Sequence, residues 1–174
     1  MAGLWRVRNT VATPIGDLLL VSDADGVLHG AEWADCLERL PAELRGSARG
    51  RLPQAVVDAV CAYFDGAINA LEPVRVAASG TPFQRAVWEA LRSIPPGTTL
   101  TYGALARMLG RPGGARSVGH ANGANPISVV VPCHRLVGAS GSLTGYGGGI
   151  TRKQWLLAHE AHHARHRAIV PGGG

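Results

Sequence analysis

A thiol and an imidazole stand side by side at the end of an apolar run, Val129-Val130-Val131-Pro132-Cys133-His134-Arg135. A free cysteine has a pKa of ~8.5, so a sulfur that is to attack needs a base or a helix N-terminus nearby. His134 is a base of the right type. On a regular strand, adjacent side chains point to opposite faces. The pair can therefore cooperate only if the chain turns at Pro132 and brings imidazole to sulfur directly or through one water. A histidine used as a base commonly has its second nitrogen held by an acceptor. Glu160 is the only acid after Glu89 and is the candidate for that task. The plainer reading is a Cys-His dipeptide with no chemistry, the thiol being structural.

The chain that must hold these groups divides near residue 80. In residues 1–79, the stretches around "LWRVRNTVATP" and "GDLLLVSDADGVLHGAEW" read as strands, with a hairpin turn at Asp25-Gly26. Residues 34–52 read as a short helix and a loop. "PQAVVDAVCAYFDG" reads as a helix with Pro53 at its first position, Val56, Val57, Val60 and Phe64 on one face, and Gly66 as its stop. "EPVRVAASG" reads as a strand before a linker. The expectation is a small α+β unit, an antiparallel sheet with a helix.

Residues 80–174 read as mostly helical. Thr81 and Pro82 open a helix whose apolar face is Phe83, Val87, Trp88 and Leu91, ended by Pro95-Pro96-Gly97. "TYGALARMLG" follows as a short helix with Leu105, Met108 and Leu109 inward. After a turn at "RPGG", "ARSVGHANGAN" makes a second one. Two short helices joined by a glycine-containing turn are the pattern of a helix-turn-helix. A buried strand to Pro132, a Gly-rich hairpin and a last helix, "TRKQWLLAHEAHHARHR", complete this half.

The second helix of the pair is unusual for a DNA reader. Major-groove readout needs long polar side chains, whereas Gly113, Gly114, Ala115, Ser117, Gly119, Ala121 and Gly123 are all small. Such a helix suits close backbone approach in the minor groove, with Arg116 the one long cation to enter the duplex. Tight helix–helix packing explains the same small residues.

Charge is uneven. Residues 1–80 hold seven basic and ten acidic side chains, and residues 81–174 ten basic and two acidic, within a net charge of +5. A basic second half suits a polyanion; a bias toward arginine alone would also produce it. Three cysteines at wide spacing, Cys36, Cys61 and Cys133, argue for free thiols in a reducing compartment rather than a disulfide framework. No leader-like apolar core and no run of ~18 apolar residues is present, so no secretion and no membrane span are expected.

Pro132-Cys133-His134-Arg135, "TPFQRAVWEALRSIPPGTTLTYGALA", "GGARSVGHANGANPISVVVPCHRLVGASGSLTGYGGG" and "RKQWLLAHE" together resemble the O6-alkylguanine-DNA alkyltransferases, across nearly all of residues 80–160. "VATPIGDLLL" is similar to the entry of the bacterial single-protein members. The resemblance implies an α+β fold, with a ribonuclease-H-like N-terminal domain and a winged helix-turn-helix-type domain. It implies repair by direct reversal: an alkyl group leaves guanine O6, or thymine O4, in double-stranded DNA and goes once to the protein's own cysteine. By the same resemblance Cys133 is the acceptor, His134 its base through a water, and Glu160 the residue that holds His134. Tyr102 aids flipping and lends a proton, Asn125 braces the turn around the cysteine, and Arg116 fills the vacated stack. Ala115, Ser117, Gly119, Arg135 and Tyr102 would face DNA, and Tyr146, Gly147 and Gly148 would line the base pocket. No cofactor is expected, and no metal, because Cys36, Cys61 and His29 lack ligand-like spacing. A cytoplasmic, nucleoid-associated monomer is expected, with cooperativity on DNA left open. Ser117 and His120 stand where small apolar or glycine residues are common in the family, and the histidine-rich tail departs from the family core; it is read as a frayed basic helix end rather than a metal site.

Two rivals belong to other classes. One is a winged helix-turn-helix binder whose Cys133 is structural or redox-sensing. The other is a Cys-His hydrolase, which would turn over.

Overall fold

The computed structural model describes residues 5–169. Strands β1 (Val7–Val11), β2 (Leu18–Ser22) and β3 (Leu28–Trp33) form the predicted antiparallel meander. A short strand β4 (Ala48–Arg49), inside the stretch expected to be loop, adds parallel to β1, so the sheet is mixed with order β3-β2-β1-β4. β2 reads Leu-Leu-Leu-Val-Ser without alternation because both its faces are covered. Leu18 and Leu20 enter the main core, while Leu19 and Val21 pack with Leu40 and Leu44. Those two leucines come from the segment containing a 3-10 turn, Leu37–Arg39, and α1 (Ala42–Arg45).

Helix α2 (Gln54–Phe64) lies in the main core through Val56, Val60, Tyr63 and Phe64. Pro53 is its N-cap rather than its first residue. The predicted strand over "EPVRVAASG" reduces to one bridge, Leu28 with Val76, because Glu72 to Val74 still belong to the turns after α2.

Helix α3 (Pro82–Arg92) starts with a reciprocal cap: Gln84 N donates to Thr81 Oγ1 at 3.2 Å and Thr81 N donates to Gln84 Oε1 at 2.9 Å. Such a cap contributes ~1 kcal/mol. Val87, Trp88 and Leu91 are buried. Strand β5 (Leu100–Thr101) leads directly into α4 (Tyr102–Met108), which Thr101 caps. Helix α5 (Ala115–Gly123) follows after a turn with Gly110 and Gly113 both at positive φ. Met108, expected inward, is 63% exposed, whereas Leu105 is fully buried. α4 is short and presents only one turn to the core.

The run expected to be a buried strand up to Pro132 is buried but not a strand. Ile127 bridges to Ala31 of β3, and the chain then passes through tight turns, Val129 adopting φ +71°. A β-branched residue at positive φ is strained by about 1–3 kcal/mol. Strand β6 (Leu136–Val137) pairs parallel with β5, so no Gly-rich hairpin forms there. Helix α6 (Ile150–Ile169) closes the fold, with Leu156 in the main core. Of the histidine-rich tail, residues 170–174 lie outside the described residues.

Candidate active site and nucleic-acid interface

The turns after α5 deliver Cys133. Asn125 holds them: its Nδ2 donates to Val131 O at 2.9 Å and to Ile127 O at 3.4 Å, and its Oδ1 accepts from Ile127 N at 2.9 Å. These bonds offset the strain at Val129 and fix the loop's end. Cys133, His134 and Arg135 then form one 3-10 turn, all buried. A 3-10 turn rotates successive side chains by about a third of a revolution, so thiol and imidazole escape the strand alternation that would separate them.

Burial pushes the Cys133 thiol up from its ordinary value, and the neighbouring Asn125 amide acts in the opposite direction by favouring the thiolate. His134 is fully buried. Its Nε2 lies 2.8 Å from Glu160 Oε1, and its Nδ1 is buried without a protein partner. Glu160, on α6, is fully buried and accepts from five donors. Oε1 takes Tyr63 OH at 2.7 Å, His134 Nε2 at 2.8 Å and Arg135 Nη2 at 2.9 Å; Oε2 takes Arg135 Nε at 3.0 Å and Gly97 N at 3.3 Å. Burial raises this carboxyl, but the charge and hydrogen bond of His134, joined by those of Arg135, overcome it and hold Glu160 well below the usual carboxylate range.

Arg135 corrects an expectation. It was read as facing DNA, yet its guanidinium is turned inward, bidentate on Glu160 and donating Nη1 to Ile94 O at 2.6 Å. A buried carboxylate needs a charged partner more than the surface needs another cation. Arg135 is that partner.

A cavity of about 300 Å³ lies over the sulfur, lined by Cys133, Tyr102, Asn122, Ser128, Tyr146 and Gly147, with Arg39 and Gly119 at its edge. Gly148 does not line it. It is buried against Trp33 and the Tyr146 ring, where even a Cβ would overlap them. The loop turns its middle glycine away from the cavity, so only Gly147 of the expected pair faces it. Tyr146 OH accepts from Trp33 Nε1 at 3.4 Å.

Tyr102 and Gly119 also line a second, open groove, with Ala115, Arg116, His120 and Arg107. The groove runs along α4 and α5, so the cysteine cavity adjoins the helix-turn-helix surface at these two residues. Arg116, Ser117 and His120 are exposed on α5, Arg116 and His120 in the groove and Ser117 outside its lining. The small residues of α5 suit both close packing and close approach: Val118 and Ala121 pack inward, and Trp88 Nε1 donates to Ala121 O at 2.8 Å, while Gly119 puts no side chain into the groove. Tyr102 OH donates to Thr144 O at 3.1 Å, and burial raises its pKa, which keeps it a proton donor.

Several site groups escaped the sequence reading. Tyr63 reaches Glu160 from the first half of the chain. Asn122 Nδ2 donates to the Cys133 carbonyl at 3.3 Å. Arg39 Nε donates to buried Glu32 at 3.2 Å and its Nη2 to Gly123 O at 2.7 Å. Lys153, fully buried, donates to Leu136 O at 2.6 Å and to Thr144 O and Gly145 O at 3.4 Å each. It is the only lysine among 17 basic residues. That was the available sign of a special task. No group of three or more metal-ligating side chains occurs among the described residues.

Residues 82–162 match the family model described as 6-O-methylguanine DNA methyltransferase, DNA binding domain. A methylated-DNA–protein-cysteine methyltransferase of Salmonella typhimurium is 48% identical over 166 residues, covering 90% of this chain and 96% of its own. The protein of that name from Mycolicibacterium paratuberculosis is 46% identical over 155 residues, covering 89% and 92%. The crystal structure of Mycobacterium tuberculosis O6-methylguanine methyltransferase superposes with a TM-score of 0.79 at 40% identity, over 97% of this chain and 96% of that one. The crystal structure of Mycobacterium tuberculosis OGT in complex with DNA gives 0.79 at 42% identity, over 90% and 93%.

Proposed function

The chain belongs to the methylated-DNA–protein-cysteine methyltransferases, and from that premise we propose how its residues divide the labour. It is a DNA-repair enzyme that reverses alkylation of guanine O6 by transfer to one of its own cysteines. Cys133 is the acceptor. The observation that carries this assignment is the cavity over its sulfur, which adjoins the helix-turn-helix groove at Tyr102 and Gly119. A base leaving the stack beside α5 would pass those two residues to reach the thiol.

The thiol proton goes to His134 Nδ1, directly or through one water, and Glu160 supports the imidazolium that forms. Sulfur then attacks the alkyl carbon, the carbon–oxygen bond breaks, and its electron pair stays with the base. Tyr102 protonates the ring as that charge develops, which makes the base a better leaving group. The thioether has no route back to thiol, so each molecule reacts once, without metal or coenzyme. O4-alkylthymine presents the same alkyl–oxygen carbon and is a second substrate.

Damage can arise in any sequence, so binding should not depend on base readout. Ala115 and Gly119 let α5 approach the minor groove closely, Arg116 enters the stack, and the excess of cations in residues 81–174 supplies phosphate affinity. Extrusion costs a few kcal/mol, which Arg116 offsets by filling the gap. The division near residue 80 separates a supporting unit from the unit that binds DNA and reacts. No helix of the described residues is long and apolar enough to cross a membrane; a monomer acting on cytoplasmic DNA completes the reading. Incubation with an O6-methylguanine duplex should add one methyl per molecule, on the peptide holding Cys133, and then stop. Continued turnover would mean a hydrolase, and an intact lesion a mere binder.

A further inference from the structure

Tyr63 is fully buried on α2, in the first half of the chain, and its hydroxyl meets Glu160 Oε1 at 2.7 Å. That oxygen is the one His134 uses, at 2.8 Å, and Arg135 Nη2 shares it at 2.9 Å. A carboxylate oxygen has about two lone-pair sites, so three donors on Oε1 compete for its electron density. We propose that Tyr63 is a positioning residue that moderates Glu160: its hydroxyl draws on the oxygen facing His134, and so weakens the support this carboxylate gives to the imidazolium–thiolate pair. This deepens the assignment of Cys133, His134 and Glu160 made above and rests on it.

The surroundings make the hydroxyl a dedicated donor. Burial, the Glu160 charge and the Glu160 hydrogen bond all push Tyr63 well above the ordinary phenol range, so it stays protonated. The phenol ring is clamped edge-on by Phe64, centroids 5.1 Å apart, and by His159 at 5.4 Å. His159 Nε2 donates to the Tyr63 carbonyl at 2.7 Å, and burial favours its neutral form. The titratable groups around the hydroxyl are therefore Glu160 and His159 from α6, His134 and Arg135 from the turn after Pro132, and Tyr146 at longer range. Glu160 alone among them accepts from it. Because α2 lies in residues 1–79, the half of the chain without Cys133 tunes that sulfur's reactivity. A single-use thiol gains from being held protonated until DNA is bound.

The test uses the full chain. Wild type and Tyr63→Phe are alkylated with iodoacetamide across a range of pH, and the midpoint of Cys133 labelling is read by mass spectrometry. Phenylalanine keeps the ring and removes the donor. The midpoint should fall by about half a pH unit, roughly threefold more thiolate on the acid limb. An unchanged midpoint with a lowered melting temperature would make Tyr63 a packing residue, and a raised midpoint would make it a helper; either overturns the proposal. Should the phenylalanine variant fail to fold, 3-fluorotyrosine at position 63 keeps the shape and strengthens the donor. Its midpoint should rise, and an unchanged or lowered one is equally fatal. Methyl transfer from an O6-methylguanine duplex to wild-type Cys133 is measured in parallel. Its failure would refute the underlying assignment while leaving the midpoint comparison readable.

Discussion

His134 gives Nε2 to Glu160 at 2.8 Å and keeps Nδ1 buried and unpartnered. An N–H must face a carboxylate, so the neutral ring carries its proton on Nε2 and its lone pair on Nδ1. This tautomer is the one able to receive a proton from sulfur. The glutamate thus sets the direction of proton flow as well as the ring's orientation.

Glu160→Gln should therefore raise the pH midpoint for Cys133 alkylation and slow methyl transfer. An unchanged midpoint would remove Glu160 from thiol activation. The same change strands the buried Arg135 guanidinium, at a cost of about 3–5 kcal/mol, so the comparison belongs well below the melting temperature. The pH dependence of stability follows with a definite sign. Glu160 is held below its ordinary 4.5 in the folded state, so its contribution is present above that pH and is lost as pH falls toward the folded value. The melting-temperature gap between wild type and Glu160→Gln should narrow on acidification below about pH 4.5; a gap independent of pH would contradict the ionised carboxylate.

Cys133→Ala should abolish transfer and leave DNA affinity within about twofold, because affinity comes mainly from phosphate contacts and the thiol lies in a cavity behind the groove. Labelling of Cys36 or Cys61 by a methylated duplex would overturn the choice of acceptor. Cys61 is exposed and Cys36 half-buried, so both are available to compete.

Arg116 is exposed in the groove. Arg116→Ala should slow repair of a paired lesion about tenfold or more while sparing transfer from free O6-alkylguanine, since only the duplex demands extrusion. Equal losses on both would make the arginine a fold or chemistry residue. Wild-type affinity should also fall steeply as salt rises.

The sequence reading found the α+β organisation, the capped α3, the helix-turn-helix and the partnership of His134 with Glu160 because each has a local mark: Thr81-Pro82, glycine turns, a lone late acid. It misread residues 129–131 because a short apolar run is buried equally well in a strand or in tight turns; only the Asn125 bonds decide between them. The resemblance sent Arg135 to the DNA face, and nothing in its own neighbourhood spoke against that, because charge carries no direction in a sequence and the carboxylate that draws it inward lies 25 positions away. Tyr63 carries no mark in the α2 sequence that would set it apart, since its hydroxyl partner lies 97 positions away.

The last prediction concerns the size of the alkyl group. A run of three glycines, Gly147 to Gly149, would by itself suggest room for a benzyl adduct, with Gly148→Trp closing that room. The structure moves the test elsewhere. A side chain at Gly148 would collide with Trp33 and Tyr146 behind the loop, and one at Gly147 with Arg39. Gly149 holds φ +92° and suits only glycine. Substitution at Gly148 or Gly149 would unseat the loop and lose methyl and benzyl transfer together, and one at Gly147 would have to displace the Arg39 guanidinium. Gly119 is the better probe. It lines both the groove and the cysteine cavity, sits in a regular helix, and a Cβ there meets only the Tyr102 ring at 3.9 Å. Replacing a helix glycine stabilises by up to about 1 kcal/mol, so loss of function cannot be put down to unfolding. The cavity, about 300 Å³, lies at the small end of ligand sites of ~300–1,000 Å³, so wild type should accept benzyl as well as methyl from guanine O6. Assayed on free O6-alkylguanine, where the approach of α5 to the duplex plays no part, Gly119→Leu should reduce benzyl transfer at least tenfold more than methyl transfer, with an unchanged or higher melting temperature. Equal loss of both reactions, or a wild type inert to the benzyl adduct, would refute the reading of this passage as the route and limit for the alkyl group.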